Sequence, residues 1–76
     1  MNDFQTSKHR YIHIRRSDIA YFKFLLEAHD NLGVMTVLDK YAAVLRVSFA
    51  AGCEEEMQDF FKGISQDIPV HEVRLP

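Results

Sequence analysis

The chain has 76 residues, 47% of them apolar and 26% charged, with nine Lys and Arg against eleven Asp and Glu for a formal net charge of −2. These proportions suit one globular domain with a thin core, exclude a disordered chain, and lack the basic excess on which nucleic-acid backbone binding draws. The single cysteine, Cys53, excludes an internal disulfide, and no apolar run approaches the roughly 20 residues that span a bilayer, so a cytoplasmic protein without membrane partners is expected.

Residues 1–9 show no hydrophobic period and lack the charged and apolar regions of a signal peptide, so they read as a flexible leader to a single domain over residues 10–76. Tyr11 to Arg15 then alternates, with Ile12 and Ile14 on one face and Tyr11, His13 and Arg15 on the other, as a half-buried strand does. Ser17 offers a cap and Asp18 a first-turn anion to a helix whose stripe is Ile19, Phe22, Leu25, Leu26 and His29. Tyr21, Phe24 and Ala28 widen that stripe beyond what one sheet face needs, which suggests a second contact surface. Asn31, Leu32 and Gly33 end the helix, with Gly33 suited to a left-handed C-cap.

Val34 to Leu38 and Ala43 to Phe49 form the arms of a hairpin around Asp39 and Lys40, with Ala43, Leu45, Val47 and Phe49 facing the helices. A second helix carries Cys53, Met57, Phe60, Phe61 and Ile64 on one stripe and Glu54, Glu55 and Glu56 in its first turn. Pro69 stops it, and Val70 to Leu75 reads as a closing strand.

Strand, helix, strand, strand, helix, strand, with right-handed crossovers, gives an α+β, ferredoxin-like βαββαβ two-layer sandwich whose antiparallel sheet has the order 4-1-3-2. Both helices then cover one face, leaving Tyr11, His13, Arg15, Met35, Val37, Val44 and Arg46 on the other. The apolar part of that face predicts a homodimer that stacks sheets or pairs edge strands, with Tyr11, His13, Met35, Val37, Val44 and Arg46 at the interface.

Several chemistries that use such a fold lack their residues here. The region after the first strand, Arg15-Arg16-Ser17-Asp18, has neither the paired cysteines of a soft-metal carrier nor a glycine-rich phosphate loop. The outward aromatics of an RNA-binding sheet reduce to Tyr11. His9, His13, His29 and His71 show no tight metal-ligand spacing, although His13 and His71 become neighbours on adjacent strands in the 4-1-3-2 order, so neither metal nor cofactor is expected. Cys53 lies on an apolar stripe beside three glutamates, which favours packing over reactivity. The remaining constellation is Arg15, Arg16, Ser17 and Asp18, where two cations, a hydroxyl and free helix amides could hold a carboxylate or phosphate.

The run Ile14-Arg15-Arg16-Ser17-Asp18-Ile19-Ala20-Tyr21, the stretch Phe24 to Ala28, and Gly33 to Asp39 resemble short bacterial proteins of unknown function with an ACT-like domain, over residues 10–68. The resemblance implies a small βαββαβ regulatory module that associates side by side and binds amino acids at the subunit boundary. Its turn after the first strand differs, with Ser17 and Asp18 where ligand-binding ACT domains carry aspartate and then proline or glycine. The expected function is a non-enzymatic, homo-oligomeric regulatory or interaction module for a small anionic ligand such as an amino acid. The alternatives are a small dimeric α+β barrel enzyme using His13 or His71 as acid or base, and a subunit that binds a different protein.

Overall fold

The computed structural model describes residues 7–29 and 32–74. Its elements are β1 (Ser7–His13), α1 (Ile19–Glu27), β2 (Val34–Asp39), β3 (Val44–Ala50), α2 (Glu54–Ile64) and β4 (His71–Glu72), with short 3-10 turns at Arg16–Asp18 and Ala51–Cys53. The four strands form one antiparallel sheet in the order β2-β3-β1-β4, which read from the β4 edge is β4-β1-β3-β2. With two helices over this sheet, the α+β architecture is compatible with a ferredoxin-like fold.

The core follows from the two-residue period of β1 and β3. Register pairs Ile12 with Leu45 and Arg10 with Val47, so one row of each strand faces the helices. Ile12, Ile14, Leu45 and Val47 on that row are completely or almost completely buried, as are Phe22 and Leu26 of α1 and Met57 of α2. Phe60, Phe61 and Ile64 extend the α2 stripe into the same cluster, and the Phe22 ring meets Phe60 edge-on with centroids 5.7 Å apart. Arg10 reaches over this core: its guanidinium lies 4.4 Å from the Phe61 centroid and pairs with the Glu72 carboxylate, tying β4 and α2 to β1.

Several sequence expectations change. Ser7, Lys8 and His9, assigned to the leader, belong to β1, because Ala50, Phe49 and Ser48 of β3 pair with them even though their own side chains show no apolar period; residues 1–6, Asn31 and Leu75 lie outside the described residues. Strand β4 is only His71–Glu72, extended by one bond from the Val73 amide to the Tyr11 carbonyl at 2.7 Å. Ser17 does not cap α1; the chain first makes the 3-10 turn, and the N-cap residue is Asp18, without a side-chain capping bond. Met35 and Val37 do not lie on the open sheet face. They pair with Val47 and Leu45 and so share the helix-covered side, while Val34 and Thr36, opposite Ser48 and Arg46, take the open side. A run of five residues without alternation gave no means of choosing between the two faces, and an irregularity between Val37 and Asp39 ends the simple parity.

Gly33 is required for a different reason from the one its position suggests. No glycine of the described residues has positive φ, so it is not a left-handed cap. A Cβ at Gly33 would stand 2.8 Å from the Ser48 carbonyl oxygen and 2.9 Å from Met57 Cε, so the glycine lets β2 enter close against β3 and α2. Gly63, inside α2, has nothing within 4 Å of such an atom. Gly33→Ala is therefore expected to lower stability by about 1–3 kcal/mol through overpacking, and Gly63→Ala to raise it by up to about 1 kcal/mol through helix propensity. Urea unfolding of both variants checks the pair; a Gly33→Ala midpoint equal to that of the parent contradicts the close-approach explanation.

Candidate functional site

At the end of the sheet, the segment leaving β1, the 3-10 turn that follows, the β2–β3 turn and the approach to β4 converge around an open cleft of about 500 Å³. Its polar lining is His13, Arg15, Arg16, Ser17, Tyr41 and His71, and its apolar lining is Ile14, Ala42, Ala43 and Pro69.

Local structure sets each wall. Ile14 is anchored by its core side chain and by its amide, which donates to the Ala43 carbonyl at 3.2 Å. That bond ties the end of β1 to the hairpin turn. The turn itself is shaped by Asp39, whose Oδ1 accepts the amides of both Tyr41 and Ala42 at 3.0 Å, an aspartate turn of the usual kind. Ala43 closes it at φ 56°, in the left-handed region, where an alanine is uncommon and costs roughly 1–2 kcal/mol. The surrounding bonds and the complete burial of its methyl group hold it there. On the opposite wall the Asp18 amide donates to the Arg15 carbonyl at 2.9 Å, closing the 3-10 turn that carries Arg16 and Ser17.

The charge of the cleft is one-sided. None of its lining residues is an Asp or Glu. Of the two carboxylates adjacent in sequence to the lining residues, Glu72 pairs with Arg10, and Asp18 accepts a bond from Arg15 Nε at 2.7 Å and so offsets one of the two arginines. Among the described residues no carboxylate pairs with Arg16, whose guanidinium lies 5.7 Å from the Tyr41 ring centroid. Lys40 Nζ approaches the same ring at 5.8 Å. His13 and His71 are directly opposed across β1 and β4, with ring centroids 6.5 Å apart. Among the described residues no group of three or more His, Cys, Asp or Glu is placed to hold a metal ion.

Of the residues singled out by sequence, Arg15, Arg16 and Ser17 line this cleft together with His13. Asp18 stands behind them as the partner of Arg15. Tyr11, Val44 and Arg46 lie on the open sheet face, half-buried, with Tyr11 opposite Arg46; Arg46 Nε is shielded from solvent without a hydrogen-bond partner. On the same face the Ser48 hydroxyl and His9 Nδ1 are hydrogen bonded at 2.8 Å, so the face is more polar than its valines suggest. Cys53 is half-buried against the core. Tyr41, Ala42, Ala43 and Pro69 complete the lining, and no sequence signal places them there. Asp39 signals the turn, but nothing local in the sequence says that the turn meets residues 14–17.

Fold and cleft thus define a small α+β domain with a cationic cleft at one end of its sheet. The chain belongs to the family of a domain of unknown function, DUF4911, whose model matches residues 12–68. The match takes in the cleft residues from His13 to Ala43 and ends just before Pro69 and His71. No curated protein matches the chain, and no solved structure does. Among the described residues no helix is long and apolar enough to cross a membrane.

Because Asp39 shapes one wall, Asp39→Ala is expected to cost about 1 kcal/mol of stability through two lost backbone bonds and to shift the amide resonances of residues 41–43 and Ile14. Two-dimensional NMR together with chemical denaturation measures both; unchanged Ile14 and Ala43 resonances contradict the proposed coupling of the turn to β1.

Proposed function

We propose that the chain is a non-enzymatic regulatory or interaction module that binds a small carboxylate or phosphate in the cleft and works as a homo-oligomer. The observation that carries this is the cleft lining, with two arginines, a serine and two histidines and no acid. Guanidinium donors bind oxyanions through charge-assisted hydrogen bonds, and Arg16 has no competing carboxylate among the described residues. The βαββαβ order and the resemblance of residues 10–68 to ACT-like proteins agree with a regulatory module. The Ser17-Asp18 turn differs from that of amino-acid-binding ACT domains, so the anion is assigned by the cleft's own chemistry.

Acid or base catalysis by His13 or His71 is a second function that one observation favours, since both imidazoles line the cleft. General catalysis by histidine is commonly supported by a carboxylate that orients the ring, and none lines the cleft, which places binding first.

Self-association is supported at the β2 edge more than on the open sheet face. Strand β2 is an edge strand, and Val34, Val37 and Leu38 along it are 66%, 41% and 43% exposed. Phe24 and Tyr21 of the neighbouring α1 add a further exposed aromatic surface. An edge with unpaired backbone groups and apolar flanks is suited to pairing with a second copy. In this arrangement Val37 contacts the partner, whereas Met35 stays within its own protomer's core.

For ligand binding, titration with sodium phosphate and with glutamate is expected to move the amide resonances of residues 14–17 and 41–43. Arg16→Ala should weaken binding about tenfold, the loss of a charge-assisted pair, and Lys62→Ala on α2 should leave it unchanged; equal affinities for the two variants and the parent reject the cleft. For association, sedimentation at micromolar concentrations is expected to give a dimer that Val34→Lys and Phe24→Glu dissociate. A parent chain that sediments as a monomer throughout removes the homo-oligomer.

A further inference from the structure

We infer that the anion is a phosphate monoester with a flat, apolar body, its phosphate held by Arg16, Ser17, His13 and His71 and its body lying between Pro69 and the Tyr41 ring. This rests on the anion-binding function proposed above and names the class of its ligand.

Three observations select that class. The first is the number and placement of donors. A planar carboxylate is satisfied by a single guanidinium fork, whereas a phosphate monoester offers three oxygens and a charge of about −1.5 to −2 at neutral pH. The cleft provides donors from three separate elements: Arg16 and Ser17 on the 3-10 turn, His13 at the end of β1 and His71 on β4. Donors arriving from several directions suit a tetrahedral anion better than a planar one.

The second observation is size. At about 500 Å³ the cleft falls within the range of sites for whole small molecules, and an inorganic phosphate would fill a small part of it. The rest of its lining, Ile14, Ala42, Ala43 and Pro69, is apolar and has no hydrogen bond to offer from its side chains. A second, uncharged and apolar part of the ligand is what such a surface accommodates.

The third is Tyr41. It is 76% exposed, the most exposed large apolar side chain among the described residues, yet it stands at the rim of the cleft with the Arg16 guanidinium 5.7 Å from its ring centroid. A phosphate held by Arg16 therefore brings its ester substituent beside the face of an aromatic ring. Stacking on such a ring favours a flat substituent over a branched aliphatic one. The turn that presents Tyr41 is fixed by Asp39 and by the left-handed Ala43, so the ring's backbone is held in place before any ligand arrives.

Isothermal titration calorimetry at pH 7 and fixed ionic strength, with phenyl phosphate, inorganic phosphate and benzoate as probes, tests this, and amide shift mapping locates each probe. Phenyl phosphate is expected to bind at least about tenfold more tightly than either of the others, with shifts at residues 14–17 and 41–43. Tyr41→Ala should weaken phenyl phosphate about fivefold or more while changing inorganic phosphate by less than about twofold, and Tyr41→Phe should restore the parent affinity. Rescue by Tyr41→Phe distinguishes lost stacking from a disturbed turn. Benzoate binding as tightly as phenyl phosphate, or inorganic phosphate doing so, overturns the ligand class and leaves the anion site standing. Absence of saturable binding for all three probes, or shifts confined to other residues, overturns both.

Discussion

The pairing of β1 with β3 is the constraint on which the rest of the molecule depends. Seven consecutive residue pairs, from Ser7 with Ala50 to His13 with Val44, set which side of every strand meets the helices. Slipping β1 by one residue against β3 would turn Ile12 and Ile14 into water and bring Tyr11 and His13 toward the core. Each large aliphatic side chain so exposed costs about 1.5–3 kcal/mol, a large share of what a domain this size can hold. The register is thus imposed by burial, and the polar residues occupy the places that burial leaves them. His13 ends β1 on the open face, and the antiparallel partner that reaches it from the far edge is His71.

The cleft is a product of how the chain leaves this pair of strands. Ile14 continues the buried row one residue beyond β1, and its amide is taken by Ala43, the residue that starts the buried row of β3. Between these two anchored points the 3-10 turn and the hairpin turn have to face each other. Asp18 on one side and Asp39 on the other each direct their carboxylates into their own turns, to Arg15 and to the amides of Tyr41 and Ala42. These two acids are occupied in building the cleft's walls, and the surface between them is left to Arg16, Ser17, Tyr41 and the two imidazoles.

Element order, the inward row of β3 and the α2 stripe were legible in the sequence because each rests on periodic burial over several residues. The neighbourhood of His13 and His71 was legible too, once the handedness of the crossovers had been applied. The face of β2 was not, since Val34, Met35, Thr36, Val37 and Leu38 would suit either side, and the choice is made by β3. Gly33 was visible as a break but not as a point of contact, because Ser48 and Met57, which crowd it, are distant in sequence. Of the cleft, the consecutive residues Arg15, Arg16 and Ser17 could be found by composition alone. Tyr41, Ala43 and Pro69 join them through tertiary structure, and no local pattern records that meeting.

Strand β4 contributes only two ladder residues, yet it carries His71, and Pro69 lies just before it. Its hold on β1 consists of those pairs, the Val73 amide bond and the Arg10–Glu72 ion pair on the opposite side of the sheet. Short edge segments of this kind detach at a fraction of the free energy that unfolds a whole domain. One flank of the cleft therefore rests on a two-residue strand, while the other is fastened through Ile14 and Ala43 to the core. From the far side of the sheet Arg10, half-buried over the Phe61 ring, clasps Glu72 and so joins this short strand, and with it one wall of the cleft, to α2.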